Sequence, residues 1–266
     1  MYKAIYCLVL CCIFSKGYAS ENWQLVAENS PPYIGERLID NGWGTALTKA
    51  ALANQNINND IEFTSWNRAL ELTKINKKDA ILGAFYTKSR TDLFYYSRPL
   101  ANVYVGLFKL KDRQINYDGS MDSLQPYSIC KGVGYAVSEV FSESNGLAVT
   151  STRGLINSLY MLQKGRIDLV AGTKEVGEYW LKNTEKLNEP GAPQVEYISP
   201  DLEHHQLHVM FPKSDPDAKQ KRDPLEQGFS TILYNATAKE LLVKHGFSQS
   251  TALELIDFIE RSSTPN

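Results

Sequence analysis

Three histidines stand close together, at His204, His205 and His208. Imidazole can ligate a metal or carry a proton near neutral pH. On an extended segment His204 and His208 point to one face and His205 to the other, which leaves a metal ligand set incomplete. No metal is therefore expected; a ligand contact or a solvated connecting segment are the readings that remain for them. Cys130 is the one cysteine beyond residue 12, and a lone thiol in an apolar strand reads as buried and inert. The chain has no G-x-S-x-G, P-loop or H-E-x-x-H motif. It thus lacks the signatures of an activated serine, a phosphate cradle and a zinc-binding helix, and no cofactor is expected. Two acids, Glu28 and Glu175, each follow an apolar strand and could offer a carboxyl group. Trp66 ends the segment 61–66, and the ends of strands are where open α/β sheets place their ligands.

The elements that must position these groups alternate in type. Residues 23–27 read as a short apolar strand, followed by a loop with Pro31 and Pro32. Residues 43–52 carry Trp43, Leu47, Ala50 and Ala51 at helical spacing. A strand at 61–66, a helix bearing Ala69, Leu70, Leu72 and Ile75, and a strand at 79–82 follow. The same order returns as a strand at 147–151, a helix stripe of Leu155, Ile156, Leu159, Tyr160 and Leu162, and a strand at 167–171. Short crossover helices between apolar strands predict parallel pairing. Two such units predict two α/β lobes of similar build rather than one long sheet. Extended runs at 103–111 and 205–212 are candidates for the connections, and the remainder turns helical.

Composition excludes several classes. The chain has 266 residues, 43% hydrophobic and 22% charged, with 28 Lys+Arg against 30 Asp+Glu. That balance excludes wholesale disorder and gives no electrostatic case for nucleic acid. Residues 1–19 read as a secretory signal: Lys3, an apolar run at 4–14, then Gly17-Tyr18-Ala19 with small residues placed for cleavage near Ala19. The apolar run is too short to span a bilayer. The expected location is a Gram-negative periplasm, and the mature chain would keep Cys130 alone, with no internal disulfide.

Several ordered fragments then carry a resemblance. Trp66-Asn67-Arg68-Ala69-Leu70 opens a helix. Asp79-Ala80-Ile81-Leu82-Gly83 forms a strand. Thr87-Lys88-Ser89-Arg90 precedes Phe94-Tyr95-Tyr96-Ser97-Arg98-Pro99-Leu100. Gly132-Val133-Gly134-Tyr135 and the LLVKHG run at 241–246 follow. Together they resemble the family 3 extracellular solute-binding proteins, the periplasmic receptors of polar amino-acid ABC transporters.

The resemblance implies a type II periplasmic-binding fold: two α/β lobes, joined by two extended crossovers, with the ligand cleft between them. Lobe one would take residues 20–103 and 208–266, and lobe two 104–207, with crossovers near 102–105 and 203–208. It implies that Arg90 grips a ligand carboxylate, for which a guanidinium offers a planar fork of donors, and that Trp66 lies against the ligand. Gly83 and Phe85 would line the pocket, Phe85 making it more apolar, and Tyr135 and Ala136 would supply donors from lobe two. Thr173 stands where the family places an amine-binding carboxylate, with Glu28 or Glu175 as possible substitutes. The implied function is capture of a small polar, carboxylate-bearing solute by a monomer that hands it to an inner-membrane ABC permease, without catalysis. The alternatives are a cyclohexadienyl-dehydratase-like enzyme on the same fold and a periplasmic sensor partner without transport.

Overall fold

The computed structural model describes residues 21–265; the expected signal segment, 1–19, lies outside them. In chain order the principal elements are β1 (Asn22–Ala27), α1 (Trp43–Asn54), β2 (Asn58–Phe63), α2 (Trp66–Lys74), β3 (Ala80–Phe85), β4 (Phe94–Tyr96), β5 (Ala101–Leu110), β6 (Ser128–Gly132), α3 (Glu139–Glu143) and β7 (Ala148–Thr152). Then come α4 (Leu155–Gln163), β8 (Leu169–Thr173), α5 (Lys174–Asn183), β9 (Val195–Pro212), α6 (Ala218–Tyr234), α7 (Thr237–Lys244) and α8 (Gln249–Arg261). No helix among the described residues is long and apolar enough to cross a membrane.

The architecture is mixed α/β, with parallel pairing where the alternation predicted it. β1 pairs in parallel with β2 and β3, and β6 in parallel with β7 and β8. The two groups do not form separate sheets, as the repeat of units suggested. They are fused into one path, β2-β1-β3-β9-β5-β8-β6-β7, with β4 alongside β9. The cause is the length of β9. Its C-terminal part pairs antiparallel with β3, while the rest runs against β5. Within that pairing, Asn102 to Val105 lie opposite Gln206 to Glu203, and the register shifts between Val105 and Leu107.

Two local boundaries differ from the sequence reading. The strand expected at 61–66 spans Asn58–Phe63. Trp66 opens α2, as the fragment from Trp66 to Leu70 implied, and does not end the preceding strand; Ser65 is extended at the N-cap position. The Ser65 side chain makes no capping hydrogen bond there; its extended backbone marks the helix start. The strand expected at 205–212 begins ten residues earlier, at Val195.

Helices cover both ends of the sheet. α1 and α6 pack face to face, burying Leu47, Ala51 and Leu52 of α1 with Leu225, Phe229 and Ile232 of α6. On the opposite side, α2 buries Trp66 and Ala69 with Val26, Ile81 and Met210. At the other end, α4 and α5 pack on β8 and β5, burying Leu155, Leu159 and Leu162. These buried aliphatic side chains contribute roughly 1.5–3 kcal/mol each relative to exposure, and they hold rigid the strand ends from which the site is built.

Candidate functional site

A cleft of about 610 Å³, including its open mouth, lies where the two parallel groups of strands meet. Its walls come from strands, the turns that follow them and the first turns of helices. Glu28 directly follows β1, and Trp66 begins α2. Gly83 and Phe85 lie on β3, and Arg90 closes a short 3-10 turn at Lys88–Arg90. From the other end, Tyr135 and Ala136 follow β6 and Thr173 is the last residue of β8. The eight residues Glu28, Trp66, Gly83, Phe85, Arg90, Tyr135, Ala136 and Thr173 line this one cleft, whereas Glu175, also singled out in the sequence, does not.

Sequence reasoning missed a second set. Ser30, Tyr33, Leu82, Val103, Leu155, Val176 and Leu207 line the same cleft. Val103 and Leu207 lie where β5 and β9 run side by side, a pairing across about a hundred residues that no local pattern reveals. Tyr33 follows the two prolines, and that rigid loop was the only available signal. Its ring is buried against Trp43 at a centroid separation of 5.4 Å.

Two glycines shape the floor and one wall. Gly83 has φ +83° and sits where the β3–β9 register shifts. A Cβ there would approach the Ile34 side chain to 2.9 Å. Gly134 has φ +75° in the turn after β6, against the Trp66 ring. Both conformations suit glycine and few other residues.

Arg90 sits at one end of the cleft. Its Nη2 donates to the Gly134 carbonyl at 3.0 Å and its Nη1 to the Phe85 carbonyl at 3.3 Å. Its guanidinium lies over the Trp66 ring, 5.0 Å from the centroid. Burial holds its pKa below the usual arginine value. Lys131 is close enough for Arg90 to depress its pKa as well, after burial, which is the larger cause. Lys131 donates to the Tyr135 carbonyl at 3.1 Å. Neither cation makes an ion pair with a carboxylate among the described residues.

Glu28 is a different kind of group. Burial pushes its carboxyl up to about 7, against the opposing hydrogen bonds from the Tyr135 hydroxyl and the Trp66 backbone. Tyr135 Oη donates to Glu28 Oε2 at 2.6 Å. The Trp66 indole N–H donates to the Gly134 carbonyl at 3.1 Å. Trp66 is both a core residue and a wall of the cleft. Glu175 does not line the cleft. It faces the Tyr33 hydroxyl from the start of α5, and burial raises its pKa. A second hollow shares Glu28, Tyr135 and Leu155 and continues towards Ser65, Arg153 and Trp180.

The three histidines go separate ways. His204 is exposed and meets Asp201 Oδ2 at 3.1 Å. His205 stacks on Phe85 at 4.7 Å and contacts the Val137 carbonyl at 2.7 Å. His208 is fully buried, with Nδ1 2.8 Å from the Ser97 carbonyl and Nε2 without a partner. Burial lowers its pKa to about 4. No group of three His, Cys, Asp or Glu residues able to hold a metal stands together among the described residues. Cys130 is buried beside the Ser158 hydroxyl.

What the arrangement can do chemically is bind an anion beside an apolar wall. No protein-family model and no curated protein sequence matches the chain. Solved structures do. The GluR0 ligand-binding core from Nostoc punctiforme, in complex with L-glutamate, is 18% identical and superposes with a TM-score of 0.68, covering 84% of this chain and 99% of that one. A histidine kinase sensor domain with similarity to periplasmic binding proteins gives 0.73 at 14% identity, covering 85% and 96%. The substrate-binding protein of an amino acid ABC transporter gives 0.70 at 13% identity, covering 85% and 99%. At these identities the likeness is one of fold, and the chain therefore has the type II periplasmic-binding-like fold.

Proposed function

We propose that the chain is a periplasmic solute-binding protein, which captures a small carboxylate-bearing solute in the cleft and passes it to an inner-membrane ABC permease. The observation that carries this reading is Arg90. It is a half-buried guanidinium at the cleft wall, bonded only to two carbonyl oxygens, with no acidic partner among the described residues. A planar donor fork in that position suits an incoming carboxylate. Residues 20–103 with 208–266 form one lobe in this reading and 104–207 the other. Residues 1–19 are the export signal, and the working unit is a monomer. The fold likeness to a transporter's substrate-binding protein supports the binding role.

Closure over the ligand is a population shift, which requires contacts made only when both lobes engage it. In this reading three contacts between the proposed lobes belong to the closed arrangement, to which a ligand adds its own. They are Glu28 with Tyr135, Trp66 with Gly134, and Arg90 with Gly134.

One observation favours a second reading, an enzyme on this fold: Glu28 is a buried carboxyl pushed up to about 7 and bordering the cleft. A proton donor at that pKa suits general acid chemistry. A thermal-shift screen separates the readings. A solute at about 100 times its Kd should add roughly 2.7 kcal/mol of stability. Binding readings expect a carboxylate to shift the wild type, unchanged in composition after hours, and not to shift Arg90→Ala. Consumption of the carboxylate would transfer the assignment to the enzyme, and shifts from uncharged solutes alone would remove Arg90 from its role. Uptake by cells lacking the chain then separates transport from sensing.

A further inference from the structure

We propose that the cleft selects a monocarboxylate with an apolar, flat body and no ammonium group, such as an aromatic 2-oxo acid, in preference to an amino acid. The inference rests on the binding reading above and names its ligand class.

The anionic end of such a ligand has a receptor. Arg90 lines the cleft and Lys131 stands behind it: they donate to the neighbouring carbonyl oxygens of Gly134 and Tyr135, and Arg90 also to that of Phe85. Two neighbouring cations without a paired carboxylate leave an uncompensated positive field in a half-buried site. One carboxylate relieves it.

The body of the ligand meets an apolar surface. Tyr33, Phe85, Val103, Leu155, Val176 and Leu207 face the cleft from six separate elements or loops. Such walls take up apolar area and repay little to a polar side chain.

An ammonium group has no comparable receptor. The polar side chains that line the cleft apart from Arg90 are Glu28, Ser30, Tyr33, Trp66, Tyr135 and Thr173. Glu28 is the only carboxyl among them. Its Oε2 is already taken by the Tyr135 hydroxyl, and burial leaves it close to half-protonated at neutral pH. The Trp66 face, a surface that could hold a cation, is covered by Arg90. Ser30 and Thr173 are neutral hydroxyls, suited to a keto or hydroxyl oxygen. Burying an ammonium among neutral acceptors costs more than burying a carbonyl there.

Isothermal titration calorimetry of the purified chain with phenylpyruvate, L-phenylalanine, L-glutamate and benzylamine tests this. The expected result is phenylpyruvate binding at least about tenfold tighter than L-phenylalanine, with L-glutamate and benzylamine weaker still. Thr173→Asp, which adds a carboxylate at the cleft, should narrow or reverse the preference between phenylpyruvate and L-phenylalanine. Circular dichroism verifies that this variant folds, and the wild-type ratio decides the matter if it does not. An amino acid that binds as tightly as its 2-oxo counterpart, in an Arg90-dependent manner, overturns this inference and leaves the carboxylate-binding reading standing. If none of the carboxylates binds, both are overturned.

Discussion

Tyr135 Oη lies 2.6 Å from Glu28 Oε2, joining the turn after β6 to the end of β1 across 107 positions of sequence. The bond is short, and burial has pushed its acceptor up to about 7. Its strength therefore depends on the charge of Glu28. A hydrogen bond to an ionised carboxylate is worth roughly 1.5–3 kcal/mol, and one between neutral groups about 1 kcal/mol. Tyr135→Phe is expected to cost about 1 kcal/mol at pH 5 and about twice that at pH 8, measured by urea denaturation. Equal losses at the two pH values would mean that the hydroxyl does not bear on the carboxylate's charge.

Glu28 and His208 set opposing pH dependences. The carboxyl of Glu28 has a native pKa of about 7 against an ordinary 4.5, so the folded state holds the proton more tightly. Its stabilising contribution is complete below about pH 4.5 and is lost as pH rises through 7. His208 has a native pKa of about 4 against 6.5, because burial favours the neutral ring. Its contribution is complete above about pH 6.5 and is lost as pH falls through 4. Between 4.5 and 6.5 the two slopes oppose each other at roughly 1.4 kcal/mol per pH unit each. Glu28→Gln should leave stability rising with pH across that window, and His208→Phe should leave it falling. Unfolding free energies at four or five pH values check both, and identical slopes in wild type and variants would contradict the assignment.

Arg90 and its conservative replacement separate charge from geometry. Arg90→Ala removes two hydrogen bonds to carbonyl oxygens as well as the cation over Trp66. Arg90→Lys keeps the charge but has no planar fork. If the fork meets a carboxylate bidentately, Arg90→Lys should lose at least about tenfold in affinity for the solute, close to the loss in Arg90→Ala. Near-wild-type binding by the lysine variant would show that a point charge suffices. Titration calorimetry of both variants distinguishes the cases.

The sequence was informative where groups are placed by local pattern, and silent where distant segments meet. Glu28 follows a visible apolar strand, whereas Gly83, Arg90, Tyr135 and Thr173 stand out only through the family resemblance; all line the cleft. The apolar run from Ile61 to Trp66 reads as one strand, and only the fragment from Trp66 to Leu70 marks the helix that starts there. The first half of β9 is hard to read because Ser199-Pro200-Asp201, a turn-like run, interrupts it. Only its pairing with β5 makes it a strand. The same pairing fuses the two parallel groups that repetition alone presents as separate sheets. Val103 and Leu207 escape notice for that reason, and Tyr33, in the loop after β1, because beyond the two prolines no residue pattern marks its place.

The contact between Gly228 and Ala51 gives a prediction on stability that leaves the cleft untouched. Gly228 lies within α6, and a Cβ there would stand 2.1 Å from the Ala51 carbonyl oxygen of α1. Alanine is the better helix former by about 1 kcal/mol, which taken alone would make the substitution stabilising. Backbone cannot swing aside as a side-chain tip can, so the two helices must separate. That strips packing from Leu47, Leu225 and Phe229, which lie in the same buried cluster. Overpacking of this kind costs roughly 1–3 kcal/mol, so the steric term exceeds the gain in propensity. Gly228→Ala is expected to lower the unfolding free energy by about 1–2 kcal/mol in urea, with solute affinity unchanged. A stabilised variant would mean that α1 and α6 are further apart than this close approach implies.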